Sequence, residues 1–156
     1  MFALNVTQLS HAPVITRDFH GFDHGNYQVP FPAVDSSEPE SVNRKRAEDS
    51  LAEIERLLRE DADNIVGIIL ETLQGAGGQR VALPGFYRHL SQLAHEHDVA
   101  LGFDEVQTAG GQTGKFFAVD LFDLPYPPQA VATAKKLGCG LVYMLYPMDD
   151  RGVLDS

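Results

Sequence analysis

Two apolar runs of strand length, each closed by an acidic residue and separated by an amphipathic stretch, limit this chain to a narrow set of folds. The first, Asn64-Ile65-Val66-Gly67-Ile68-Ile69-Leu70, ends at Glu71 and passes into Gly75-Ala76-Gly77-Gly78. The second, Val99-Ala100-Leu101-Gly102-Phe103, ends at Asp104-Glu105. Apolar runs without alternation are the pattern of strands buried on both faces, as in parallel sheets. Between them, Pro84 to about His97 reads as a helix: proline suits its first turn, and Phe86, Leu90, Leu93 and Ala94 share a face. An earlier amphipathic helix is expected from about Asn43 to Glu60, with Ala47, Leu51, Ile54 and Leu58 at helical spacing among charged residues. Short strands are expected at 130–134 and 141–145, flanking Lys135-Lys136-Leu137-Gly138-Cys139-Gly140. Helix, strand, helix, strand is the order of an α/β fold, a mainly parallel sheet flanked by helices. Such sheets bind ligands at the carboxyl ends of their strands, where Glu71, Asp104 and Lys135 fall. Residues 1–42, broken by Pro13, Pro30, Pro32 and Pro39, hold no sustained period and form an irregular segment ahead of an α/β core over 43–156.

Composition removes several classes of function. The 156 residues carry 22 acidic and 12 basic side chains, a net charge of −10 that repels phosphate backbones and anionic lipid. Nucleic-acid and membrane partners are therefore not expected. No stretch reaches the roughly 20 apolar residues of a membrane span, and Met1-Phe2-Ala3-Leu4-Asn5 lacks the basic region of a signal peptide. One cysteine, Cys139, has no internal disulfide partner and no zinc-ligand spacing around it. A reducing compartment, the cytoplasm, and a small buried apolar role for that side chain are the natural readings.

An acid at one strand end and a lysine 31 residues later at another can face each other across one crevice, although charges also mark plain strand-loop junctions. Glycines after both, at 110, 111, 114, 138 and 140, allow backbone to lie close to a ligand. Other candidates are weaker. His20 and His24 flank Asp23 in a loop without a third ligand at a recognised spacing. His95-Glu96-His97 is not the zinc-protease motif, whose histidines lie four apart. Gly75 to Gly78 lacks the lysine of a nucleotide-binding loop and reads as a tight turn.

Phe103-Asp104-Glu105-Val106-Gln107-Thr108, continuing Gly110-Gly111-Gln112-Thr113-Gly114-Lys115, resembles the central signature of the class III pyridoxal-phosphate aminotransferases, with Ala109 in place of a usual glycine. Glu71-Thr72-Leu73-Gln74-Gly75-Ala76-Gly77-Gly78 is similar to a second element of that family. There Thr72 stands for a proline, and Ala76 for a glutamate that pairs with a substrate-binding arginine in several members. The opening Phe2-Ala3-Leu4-Asn5-Val6-Thr7 is most similar to the lysine 6-aminotransferase branch.

The resemblance implies the large, cofactor-binding domain of fold type I, incomplete here, and pyridoxal 5'-phosphate as cofactor. It makes Lys135 the Schiff-base lysine, with Lys136 the competing assignment. It makes Asp104 the partner of the pyridinium nitrogen, places Val106 under the ring and Gln107 near the ring hydroxyl, and lets Glu71 face the substrate. The implied reaction moves the terminal amine of L-lysine or a similar ω-amino acid to 2-oxoglutarate, with ornithine or 4-aminobutyrate as alternative donors. A homodimer is implied as well, and a non-catalytic α/β fragment is the alternative from another class. Exposed aromatics among Phe116, Phe117, Phe122 and Tyr126 are candidates for the dimer contact, with the core as their other destination. The family's phosphate-binding turn, ring-stacking aromatic and carboxylate-binding arginine have no counterpart in the sequence, so the chain is expected to be a piece of a longer enzyme.

Overall fold

The computed structural model describes residues 26–144. The elements run α1 (Glu40–Glu60), β1 (Gly67–Glu71), α2 (Pro84–Glu96), β2 (Ala100–Asp104), a single 3-10 turn (Ala118–Leu121), β3 (Ala130–Thr133) and β4 (Leu141–Met144). The four strands form one sheet in the order β1-β2-β3-β4. β1, β2 and β3 are mutually parallel, and β4 returns antiparallel to β3. This is the α/β arrangement anticipated from the sequence, although an irregular connection with the 3-10 turn, rather than a helix, joins β2 to β3.

α2 lies on β2 and α1 packs on α2. The core they enclose gathers Ala47, Ile54 and Leu58 of α1, Phe86, Tyr87, Leu90 and Ala94 of α2, and Leu101 and Phe103 of β2. α1 opens three residues earlier than its apolar pattern indicated, directly after Pro39. Its buried stripe includes Asn43 and Ser50. Both are satisfied by the incoming segment: the Asn43 amide donates to the Asp35 carbonyl at 2.9 Å, and the Ser50 hydroxyl to the Pro30 carbonyl at 2.9 Å. The outer face of α1 carries ion pairs such as Arg44–Glu40 and Lys45–Asp49, all solvent-exposed and therefore of small net value.

Two expectations need correction. The first strand begins at Gly67 rather than Asn64 and is not buried on both faces: Val66 is 88% and Ile69 55% exposed. Among the described residues β1 is a sheet edge and the helices cover only one face, so its apolar run is half-used. Cys139 is exposed rather than buried, because it sits in the turn between β3 and β4. The aromatics divide: Phe122 stacks on Tyr87 with ring centroids 3.9 Å apart and Tyr126 stacks on His95 at 3.6 Å, Phe117 packs against the core, and Phe116 is exposed. His20, His24 and Asp23, and the segment 2–7, lie outside the described residues.

Candidate active site

Register alone brings three of the expected site residues together. Glu71, the last residue of β1, is paired with Asp104, the last of β2. Asp104 is in turn paired with Ala132 of β3, three residues before Lys135. Neighbouring strands lie about 4.8 Å apart, so the carboxyl ends of three parallel strands converge on one edge. The electrostatics agree. Burial pushes the Glu71 carboxyl above its ordinary range, the Gly75 N–H that donates to it pulls it down, the Asp104 charge raises it and the Lys135 charge lowers it. Two carboxylates and an ammonium therefore share one field.

Local hydrogen bonds fix the arrangement. One Asp104 oxygen, Oδ1, accepts the Val106 N–H at 2.9 Å, which tightens the turn after β2 and leaves Oδ2 without a hydrogen-bond partner among the described residues. The Val106 carbonyl accepts the Lys135 N–H at 3.1 Å, so the turn carrying the lysine is tied to the turn carrying Val106 and Gln107. Val106 and Gln107 are half-buried, and Lys135 is exposed.

A Cβ at Gly75 would lie 2.0 Å from Gln107 Oε1, the end of a flexible side chain, so the β1 loop and Gln107 lie against each other. The turn at 75–78 is closed by Gly78 and Gln79 N–H groups donating to the Gly75 carbonyl, with Gln74 bridged to Arg80. This is the tight turn expected from its glycines. Gly110 meets the other lysine. Its φ of +94° is a conformation that suits glycine, and a Cβ there would lie 2.9 Å from Lys136 Cβ. The stem of Lys136 thus rests on Gly110, while the charge of Lys135 reaches Glu71. The two adjacent lysines, inseparable in sequence, have different neighbours.

Several polar residues lie behind this edge in roles that the sequence reading did not anticipate. Thr72 and Thr108, both buried, share a hydrogen bond of 2.8 Å between the loops after β1 and β2. The fully buried Tyr87 hydroxyl donates to the Thr72 carbonyl at 2.8 Å and accepts the Ala82 N–H at 3.3 Å. Burial pushes its pKa up to about 12. Thr72, the departure from proline, therefore contributes a bond that proline cannot make. Ala109 is 2% exposed, so its methyl group is accommodated in place of the usual glycine. Glu105 is fully buried against the 3-10 turn.

The family aminotransferase class III matches residues 1–148. The 4-aminobutyrate aminotransferase of Emericella nidulans is 36% identical over 126 residues, covering 80% of this chain and 25% of that protein. The 5-aminovalerate aminotransferase of Pseudomonas aeruginosa is 41% identical over 95 residues, covering 60% and 22%. A lysine aminotransferase from M. tuberculosis superposes with a TM-score of 0.77 at 29% identity, over 85% of this chain and 30% of that one. The chain spans about a quarter of the length of the curated relatives it matches. With that match over nearly its whole length, and with strand ends that bring the signature residues to one edge, the chain belongs to the class III aminotransferases.

Proposed function

We propose that this chain is part of the cofactor-binding large domain of a pyridoxal-phosphate-dependent enzyme that transfers the terminal amine of an ω-amino acid to 2-oxoglutarate. The observation that carries the reading is the convergence of Glu71, Asp104 and Lys135 on one sheet edge.

The residues present suit pyridoxal phosphate by their chemistry. A carboxylate with one unpartnered oxygen, an exposed primary amine, a half-buried amide and an apolar side chain line the two turns that meet there. Asp104 would face the pyridinium nitrogen, Val106 the ring and Gln107 the ring hydroxyl, with Lys135 as the covalent anchor. The bound cofactor supplies an electron sink for the pair left behind when a proton leaves the substrate carbon. The Asp104 side chain would lie beside the ring nitrogen and favour the protonated ring. Lys135 Nζ would take and return the proton at that carbon. Gln107 lies against Gly75, where the β1 loop and the β2 turn meet.

L-lysine is the leading donor, supported by the opening segment and by the lysine aminotransferase likeness. A second donor, 4-aminobutyrate, is favoured by the names of relatives such as those of Emericella nidulans and Sus scrofa. A homodimer belongs to the same reading. A reducing compartment, the cytoplasm, fits the single exposed cysteine, and among the described residues no helix is long and apolar enough to cross a membrane.

The test takes the longest natural chain that contains these residues, supplies pyridoxal phosphate, 2-oxoglutarate and, in turn, L-lysine, L-ornithine and 4-aminobutyrate, and follows glutamate formation. Glutamate from L-lysine in preference to the others, lost in Lys135→Ala but kept in Lys136→Ala, is expected. Glutamate formed equally well by Lys135→Ala, or from none of the donors, would overturn the proposal.

A further inference from the structure

Asp104 and Glu105 are consecutive acids, and strand alternation sends them to opposite faces of the sheet. Asp104 shares the uncovered face with Glu71, and Glu105 enters the helix-covered side, 0% exposed. One Glu105 oxygen accepts the Ala118 N–H at 2.7 Å and the Thr108 hydroxyl at 3.3 Å, and the other accepts the Val119 N–H at 2.7 Å. Every partner donates, which is the surrounding an ionised carboxylate needs, and among the described residues no lysine or arginine is bonded to it. Burial pushes its pKa up, and the Val119 and Ala118 N–H groups pull it back.

The main chain of the same residue joins further pieces. Its N–H donates to the Ala132 carbonyl of β3 at 2.8 Å, and its own carbonyl accepts the Thr108 and Ala109 N–H groups at 3.2 and 3.0 Å. Glu105 thus closes the loop 106–117, which is stitched internally by the Gly110 N–H on the Phe116 carbonyl at 2.8 Å. That loop touches the lysine turn twice, through Val106 on the Lys135 N–H and through Gly110 under Lys136.

We propose that Glu105 is a positioning residue: its buried carboxylate clamps the Ala118 and Val119 amides and so holds the 106–117 loop against the turn that presents Lys135. The inference deepens the aminotransferase reading, on which the importance of Lys135 rests. A glutamine in this place has the same shape but sets an NH2 donor against a backbone N–H, so one of the two clamping bonds must fail.

The experiment compares the full wild-type chain with Glu105→Gln and Glu105→Asp. Residue-resolved amide hydrogen exchange in Glu105→Gln is expected to accelerate roughly tenfold at Ala118 and Val119, and to accelerate also at Gly110 and Lys135, with core amides of α1 and α2 unchanged. Glu105→Asp keeps the charge at shorter reach, is expected to restore part of the protection, and carries the test if the glutamine variant does not fold. The second readout is the pH midpoint of the visible absorbance band formed with pyridoxal phosphate. It is expected to move in Glu105→Gln and return towards wild type in Glu105→Asp, which a merely architectural role would not produce. Unchanged exchange at Lys135, or a loosened loop with an unmoved midpoint, would overturn the positioning role. Absence of the band in wild type would count against the aminotransferase reading instead. The clamp would then stand or fall on whether the Ala118, Val119 and Lys135 amides loosen together.

Discussion

The two faces of the sheet are built from different materials. On the helix-covered face, Ile68 and Leu70, Leu101 and Phe103, and Val131 stand in register; Leu101 and Phe103 join the core with α2, and Ile68 and Leu70 pack against it. On the opposite face the paired positions are Ile69 with Gly102, Gly102 with Ala130 and Asp104 with Ala132, ending at Glu71 and Asp104. One face is large and apolar. The other is lined mainly by small side chains, with its acids at the carboxyl edge. The contrast teaches that stability and chemistry are carried by alternate residues of the same strands. Asp104 and Glu105 show it within two consecutive positions, one carboxylate facing the candidate site and the next tying the loop behind it.

The contrast can be broken most directly by truncation on each face. Phe103→Ala, at 1% exposure, is expected to cost about 3–5 kcal/mol, since it removes a ring from the packed core. Ile69→Ala, at 55% exposure, is expected to cost about 0.5 kcal/mol or less. Urea denaturation of both variants measures the difference, and equal losses would show that both faces are covered in solution.

A smaller effect sharpens the account of the edge. Burial and the Asp104 charge raise the Glu71 pKa above its ordinary 4.5, against the pull of the Gly75 N–H and Lys135. Folding then takes up a proton in the window between the unfolded and folded values. The resulting stabilisation is full below the unfolded value and is lost as pH rises through the folded one. Wild type is therefore expected to lose stability relative to Glu71→Gln as pH climbs from about 4.5, read from denaturation midpoints at successive pH values. A gap that moves the other way would mean that Lys135 and the Gly75 N–H outweigh burial.

Much of the frame was legible because apolar periodicity is a one-dimensional signal. Leu101 and Phe103 ended at Asp104, and the strand ended there too. Lys135 followed a short apolar run and lies just beyond β3. The run at 64–70 misled, because a continuous apolar stretch signals two buried faces, whereas helices cover one face among the described residues. Glu105 was legible in principle: a residue two beyond the buried Phe103 shares its side of the strand, which marks the acid as inward-facing. Its donors at 118 and 119 were not, since they return from 13 and 14 residues away without any local pattern. The Thr72–Thr108 bond and the Tyr87 hydroxyl escape for the same reason, as their partners are distant in sequence. The different surroundings of Lys135 and Lys136 escape as well, since the contact of Gly110 with Lys136 exists only in three dimensions.

The central claim is that the strand ends assemble a cofactor site around Lys135. The chain is incubated with pyridoxal phosphate, reduced with borohydride, digested and mapped for the modified lysine. Label concentrated on Lys135, and diminished when Asp104→Asn removes the acid, is the expected result. Label on Lys136 instead, or spread evenly over Lys45, Lys115, Lys135 and Lys136, would contradict it.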